Sequence, residues 1–177
     1  MQKMTAQELL AAYQSGRRDF CEIDLSLTDL FEADLRNSNL SGSDLSQAYL
    51  PYANLSQTNL QNANGQQAEL SNIQGYSADF SHADLRGANF SRSNLRCSNF
   101  QGANLSGVTL YGADLSHADL SQATLKNANL SRAKLNSTNF QQAQLSGCNL
   151  FQARQACLDG AECDRNTIYP DGHRDNV

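Results

Sequence analysis

From Phe20 to Leu150 every fifth residue is large and apolar: of the 27 positions divisible by five, 25 are Leu or Phe, and the exceptions are Gly65 and Gly75. Two residues ahead stands, as a rule, a small one, most often Ala. Between them there is usually Asp or Asn, as in Ala33-Asp34-Leu35, Ala83-Asp84-Leu85 and Ala128-Asn129-Leu130. No helix holds that period, because five steps of ~100° move the apolar stripe by ~140° per repeat and wind it around the whole surface. A straight strand fails too, since a side-chain period of ~2 sends alternate members of an odd series to opposite faces. What remains is a short extended segment that buries the small residue and the leucine, followed by a turn that resets direction. Such coils stack ~4.8 Å apart with backbone hydrogen bonds along the axis.

The bulk composition would mislead without the period. The chain has 177 residues, 40% of them apolar, but no Trp and a wealth of Ser, Asn and Gln. A solenoid resolves the conflict, because each coil buries the same few positions and leaves the rest wet. The net charge of -5 argues against a nucleic-acid partner. No apolar run approaches the ~20 residues that span a bilayer, and MQKMTAQELL has neither an apolar core of signal-peptide length nor a small-residue cleavage site. A cytoplasmic location is the expectation. Five cysteines at irregular spacing fit reduced thiols better than a disulfide framework.

At the start of the chain, Thr5-Ala6-Gln7-Glu8 has the capping-box pattern. Leu9, Leu10 and Tyr13 then share one helical face and Gly16 is a good stop, which predicts a short amphipathic helix over residues 6–15 covering the open first coil.

Repeats of the form Ala-(Asp/Asn)-Leu-X-X resemble those of pentapeptide repeat proteins, and the resemblance covers about residues 18–154. It implies an all-β, right-handed quadrilateral β-helix with four repeats per coil, a short N-terminal capping helix and an irregular C-terminal cap. The sequence itself favours four, because Phe20, Phe80, Phe100 and Phe140 share one class modulo 20 and only Phe90 among the interior phenylalanines does not. Twenty-seven repeats then make about seven coils, a rod roughly 32 Å long at the strand spacing. The expected divisions are a helical cap over 1–17, the repeat domain over 18–154, and a C-terminal cap with a loose tail over 155–177. Thr167-Ile168-Tyr169-Pro170-Asp171-Gly172 looks like the terminal segment of stand-alone cyanobacterial members, and Pro170-Asp171-Gly172 reads as a turn.

With four repeats per coil, Gly65 and Gly75 fall on opposite walls of one turn of the rod. An unfilled leucine site costs ~2–5 kcal/mol. Ile73, where Ala usually stands, is placed to refill the space at Gly75; the other reading is a kink or pocket used by a partner.

Nothing in the sequence looks catalytic. His82 and His117 fall outside on different walls, Cys97 faces out, and Cys148 takes an inward small-residue slot. No Cys-x-x-Cys or His-x-His spacing points to zinc, and there is no Gly-rich phosphate loop or nucleophile elbow. No catalytic, cofactor or metal residue is therefore assigned.

Sorting outward residues by wall is more informative. The column after the third interior residue of each coil reads Phe31, Pro51, Ser71, Ser91, Tyr111, Ser131, Phe151, with Tyr49 and Tyr52 flanking Pro51. The matching column on the first wall is Cys21, Ser41, Gln61, Ser81, Gln101, Ser121, Gln141. Outward aromatics on a Ser/Gln surface are typical anchors of protein contact. A plainer account packs Phe31 and Phe151 under the two caps. Acids crowd the first coils, while Arg86, Arg92 and Arg96 cluster mid-rod.

The resulting expectation is a non-enzymatic, regulatory interaction module that binds a protein through one wall, as a monomer or weak dimer, with no cofactor, membrane or direct nucleic-acid partner. The alternative, taken from the resemblance, is a DNA mimic that binds DNA gyrase and protects it from toxins or quinolones. A mimic needs continuous acidic columns, and here arginines interrupt the acids.

Overall fold

The computed structural model describes residues 1–174; the expected loose tail, in so far as it concerns residues 175–177, lies outside the described residues. Regular elements are few. Strand β1 (Gln2–Lys3) is followed by helix α1 (Ala6–Gln14) and strand β2 (Ile23–Asp24), and β1 pairs in parallel with β2. The rest of the architecture is carried by single-residue parallel bridges. They join Asp19 to Asn39, Asp24 to Asp44, Asp29 to Tyr49 and Asp34 to Asn54, and continue at the same 20-residue spacing up to Lys134 and Arg154. With a five-residue repeat, that spacing places four interior side chains on each rung.

The turns explain how so short a repeat closes. In most repeats the N–H of the small residue donates to the carbonyl of the interior residue three before it, as from Ala83 to Phe80 at 3.1 Å. The second central residue of every turn from Glu22 to Gln152 has positive φ. That is the mark of a type II turn, which suits Gly or Asn. The chain places Gly at some of these corners, such as Gly107 at φ 68°, but also Leu27 at φ 61°, a bulky side chain 71% exposed. The Asp/Asn slot has its own task. Its carboxylate or amide oxygen accepts the N–H two residues on, as Asp79 does from Ser81 at 2.9 Å and Asn59 from Gln61 at 3.0 Å. This is the Asx turn, and it is why that slot is shared by these two residue types.

The interior is a single column of Leu, Phe and Ala. Phe80 and Phe100 stack across rungs at 4.8 Å and 3°, and Phe90 meets both edge-on from the opposite wall. The sites at Gly65 and Gly75 are largely refilled. A methyl built on Gly65 would come 2.8 Å from Leu85 Cδ2, and one on Gly75 would come 2.9 Å from Leu95 Cδ2 and 3.5 Å from Ile73 Cδ1. A void of about 10 Å³ remains beside Gly65, lined only by apolar residues including Leu60, Leu85 and Phe80.

Isoleucine in the small-residue slot has a second consequence. At Ile23 and Ile73 the turn is open, and a serine one rung later bridges it. The Ser93 hydroxyl accepts from Ile73 N–H at 3.2 Å and donates to the Leu70 carbonyl at 2.9 Å. Ser43 does the same between Ile23 N–H and the Phe20 carbonyl, at 3.2 and 3.0 Å.

Both ends are finished differently from the middle. Thr5 and Glu8 form the expected capping box on α1, and Leu9 is fully buried against the first rung. Ahead of the helix, β1 adds a strand below β2, a feature the sequence did not signal. At the other end the bridges shorten to spacings of 18 and 19 residues, Gln144 to Glu162 and Asn149 to Ile168. Asp164 fixes this closing turn. It accepts from Ser146 Oγ at 2.7 Å and from Gly147 N–H at 3.0 Å, and these bonds, the serine's first, hold its carboxyl well below the ordinary range.

Candidate functional site

The six residues of the aromatic column do not form one surface. Phe31, Tyr49 and Tyr52 come together at the N-terminal end of the rod, 48%, 46% and 56% exposed. The rings of Phe31 and Tyr49 lie nearly parallel with centroids 6.2 Å apart, and Tyr52 meets Phe31 edge-on at 5.8 Å. Pro51, between the two tyrosines, is buried. Tyr111, two rungs beyond the next Ser in the column, is half-buried and taken by its own chain: Arg132 lies over its ring at 5.8 Å and donates to its hydroxyl at 3.0 Å. Phe151 keeps 42% of its surface exposed, but the turn after Pro170 leans on it, so that a methyl on Gly172 would come 3.3 Å from the ring. Tyr76, also exposed, stands on another wall.

Phe31 does not disappear beneath the helical cap. It lines a groove of about 370 Å³ between α1 and the first rung, with Leu10, Tyr13 and Gln14 on the helix side and Glu32, Ala33 and Asp34 on the other. The far wall of this groove is pinned. Tyr13 donates its hydroxyl hydrogen to the Arg36 carbonyl at 3.1 Å, Arg18 covers the Tyr13 ring at 3.8 Å, and Arg36 pairs with Asp34 at 2.8 Å. Hydrogen bonds from Arg36 draw the Asp34 carboxyl below its ordinary range. Tyr13 and Asp34, on the two sides of the groove, are thus both held in place, and of the aromatic trio Phe31 lines it.

The carboxylates around the trio are the part that reading the sequence by aromatics missed. Tyr49 stands in an Asp/Asn slot, and its direct bridge partners on the rungs below and above are Asp29 and Glu69. Sorting the slot before each leucine by rung, as the outward column was sorted, would have found them. Asp29 accepts the Phe31 N–H at 3.0 Å, and Glu69 accepts from Ser71 N–H and the Asn89 amide, all neutral donors. The ion pairs among the described residues involve Asp24, Asp34, Asp84, Asp114 and Asp171. Asp29, Glu32 and Glu69 are in none of them.

The mid-rod defect offers less. The void at Gly65 is about one water in size and lined only by apolar residues, so it offers a partner no polar group to recognise. Among the described residues no group of three or more His, Cys, Asp or Glu is arranged to hold a metal ion. His82 and His117 are exposed, and the buried Cys148 thiol is pushed up to about 12, chiefly by burial and then by Cys163, which makes it a poor nucleophile. No helix among the described residues is long and apolar enough to cross a membrane.

Comparison with known proteins matches the repeat to one family model, described as pentapeptide repeats, in eight copies over residues 19–47, 28–64, 76–112 and 113–150. No curated protein matches the chain. Among solved structures, the chain is similar to HetL, a pentapeptide repeat protein involved in heterocyst differentiation regulation from the cyanobacterium Nostoc sp. strain PCC 7120. That similarity is 30% identity over 97% of this chain and 100% of HetL, with a TM-score of 0.47. It is also similar to QnrB1, a plasmid-mediated fluoroquinolone resistance protein, at 21% identity over 82% and 81% of the two chains and a TM-score of 0.49. A third is Rfr23 from the cyanobacterium Cyanothece 51142, at 25% identity over 92% and 97%, with a TM-score of 0.37.

Proposed function

The chain belongs to the pentapeptide repeat family, and on that premise we propose that it is a non-enzymatic, regulatory interaction module that binds a protein partner through one wall of a rigid rod. The family's repeats imply a right-handed β-helix. The rod we propose is four-sided, of about seven coils over 18–154, with a helical cap over 1–17 and an irregular cap from 155. It works in the cytoplasm, where its five cysteines stay reduced, none of them in a disulfide among the described residues.

One observation carries the reading. Three large rings, each roughly half exposed, gather on one wall, with Phe31 against both Tyr49 and Tyr52. Rings clustered in this way supply contact area at little cost in side-chain entropy, which is why aromatics dominate binding hot spots. A rigid frame adds to this, since backbone ladders fix the trio before binding and little ordering is left to do. The wall narrows accordingly to Phe31, Tyr49 and Tyr52, while Tyr111 and Phe151 already have partners inside the chain.

A variant with Tyr49→Ser and Tyr52→Ser is expected to keep its circular dichroism and lose the proteins that the unaltered chain retains from native lysate. An unchanged set of retained proteins overturns the reading. For the gyrase-mimic alternative, low-micromolar protein should alter DNA supercoiling by gyrase or its quinolone sensitivity. The interaction module is expected to leave both unchanged. Outward acids favour the module: Asp19, Asp44 and Asp119 give way one rung on to Asn39, Asn64 and Asn139, each of which donates its amide to the acid below. Each such change breaks the continuous negative stripe that a duplex mimic requires.

A further inference from the structure

We propose that the Phe31–Tyr49–Tyr52 surface recognises a cation, and that its occupant is an arginine- or lysine-bearing segment of the partner protein. The proposal rests on the protein-binding reading above and gives it a chemistry.

Tyr49 is the first argument. Its slot ordinarily belongs to Asp or Asn, because the side chain there accepts the N–H two residues on. Two residues after Tyr49 stands Pro51, which has no N–H to offer. The slot is thereby released from its duty to the fold, and an aromatic ring occupies it without leaving a donor unpaired. Direct bridges then set that ring between Asp29 on the rung below and Glu69 on the rung above, each ~4.8 Å away along the axis. A ring between two carboxylates, neither of them in an ion pair within the described residues, attracts positive charge from its face and from both sides.

The second argument is internal to the molecule. Tyr111 lies in the same column as Phe31, and 21 residues after it Arg132 covers its ring and bonds its hydroxyl. Twenty-one residues after Phe31 stands Tyr52, not a cation. The upper aromatic carries its own guanidinium; the lower one has a second ring in that place and acids around it. Nearby cations are engaged elsewhere, Arg36 on Asp34 and Arg18 on Tyr13. A guanidinium or ammonium from outside completes at the lower end the pairing that the chain makes for itself at the upper end. Charge complementarity also selects against acidic segments, consistent with the net charge of -5.

The test uses the full chain and two fluorescein-labelled peptides, Gly-Arg-Leu-Arg-Gly-Leu-Arg-Gly and its counterpart with Gln for every Arg. Anisotropy is expected to show the Arg peptide binding about tenfold or more tightly than the Gln peptide. That advantage should shrink as salt rises from about 0.05 to about 0.5 M. Amide shifts in ¹⁵N spectra should centre on Phe31, Tyr49 and Tyr52. The variant Asp29→Asn with Glu69→Gln keeps acceptors for Phe31 and Ser71 N–H and should lose most of the preference for Arg, while Tyr49→Ser with Tyr52→Ser should lose binding itself. Equal binding of both peptides, abolished by the tyrosine variant, overturns cation recognition and leaves the protein-binding face standing. Failure to bind either peptide overturns cation recognition alone. Arg-peptide binding that survives the tyrosine variant and shifts residues elsewhere overturns both.

Discussion

Rungs 60–79 and 80–99 lie one on the other and share the same five-residue unit, yet one is short of interior volume and the other has an excess. The first places Leu60, Gly65, Leu70 and Gly75 inside; the second places Phe80, Leu85, Phe90 and Leu95. Leu85 and Leu95 lean toward the two glycines, and Phe80 reaches the edge of what is left. At ~24 cal/mol per Å³ of cavity, the remaining void of about 10 Å³ costs only about 0.2 kcal/mol, against the several kcal/mol of two unfilled leucine sites. Packing in this rod is balanced over pairs of rungs, not within each one. The upper rung also supplies Ser93, which repairs the turn that Ile73 opens below it.

That dependence should show most strongly at Phe80. Truncating a buried Phe to Ala costs ~3–5 kcal/mol, and here the new space would merge with the void at Gly65 and also remove the stack on Phe100. Phe80→Ala is therefore expected to lie at the upper end and to exceed Phe140→Ala, in the same column but far from the glycines, by about 1 kcal/mol or more. Chemical unfolding of the two variants measures the difference. Equal losses would mean that the rungs pack independently.

A smaller effect is expected at Ser93. Removing its hydroxyl strands the Ile73 N–H and the Leu70 carbonyl in the core, and unmade buried bonds of this kind cost ~1–3 kcal/mol. Ser38 is the control, because its hydroxyl is buried with no partner, and Ser38→Ala should be neutral or slightly stabilising. If the serine is there for the isoleucine, Ser93→Ala should cost much less in an Ile73→Ala background, where the turn can close in the ordinary way. The double-mutant cycle should then give a coupling of about 1 kcal/mol, within the range for contacting residues. No coupling would leave Ser93 as an ordinary filler of the small-residue slot.

The contrast between these rungs also shows where the sequence was legible. The five-residue period, the alignment of Phe20, Phe80, Phe100 and Phe140, and the Thr5–Glu8 cap each follow from local or strictly periodic rules, and they could be read directly. Ile73 could be placed beside Gly75 for the same reason. The roles of Leu85, Leu95 and Ser93 could not, because they depend on which way a side chain tips within a column already known to be interior. The candidate surface divides in the same way. Its column was legible from spacing, but whether a ring stays free depends on side chains one rung away: Arg132 takes Tyr111, whereas Asp29 and Glu69 frame Tyr49. β1 was invisible because two residues, Gln2 and Lys3, carry no strand pattern until β2 is there to receive them.

The smallest effects should separate the two glycines themselves. Neither has a left-handed φ, so alanine is allowed at both and would gain ~0.4–1 kcal/mol by restricting the unfolded chain. At Gly65 the new methyl would meet one atom closely, the tip of Leu85, with the next at 4.0 Å and the void alongside to receive a shifted methyl. At Gly75 it would meet Leu95 at 2.9 Å and also the Asn94 carbonyl and Ile73 Cδ1, both at 3.5 Å, with Ile73 already filling the space. Gly65→Ala is thus expected to stabilise by about 0.5 kcal/mol and Gly75→Ala to destabilise by about 1 kcal/mol, a gap corresponding to several degrees in thermal midpoint for a chain of this size. Opposite signs would show that one hole in the rung is open and the other closed. If both variants stabilise alike, Ile73 is not filling its side, and the balance between the rungs rests on the leucines and phenylalanines alone.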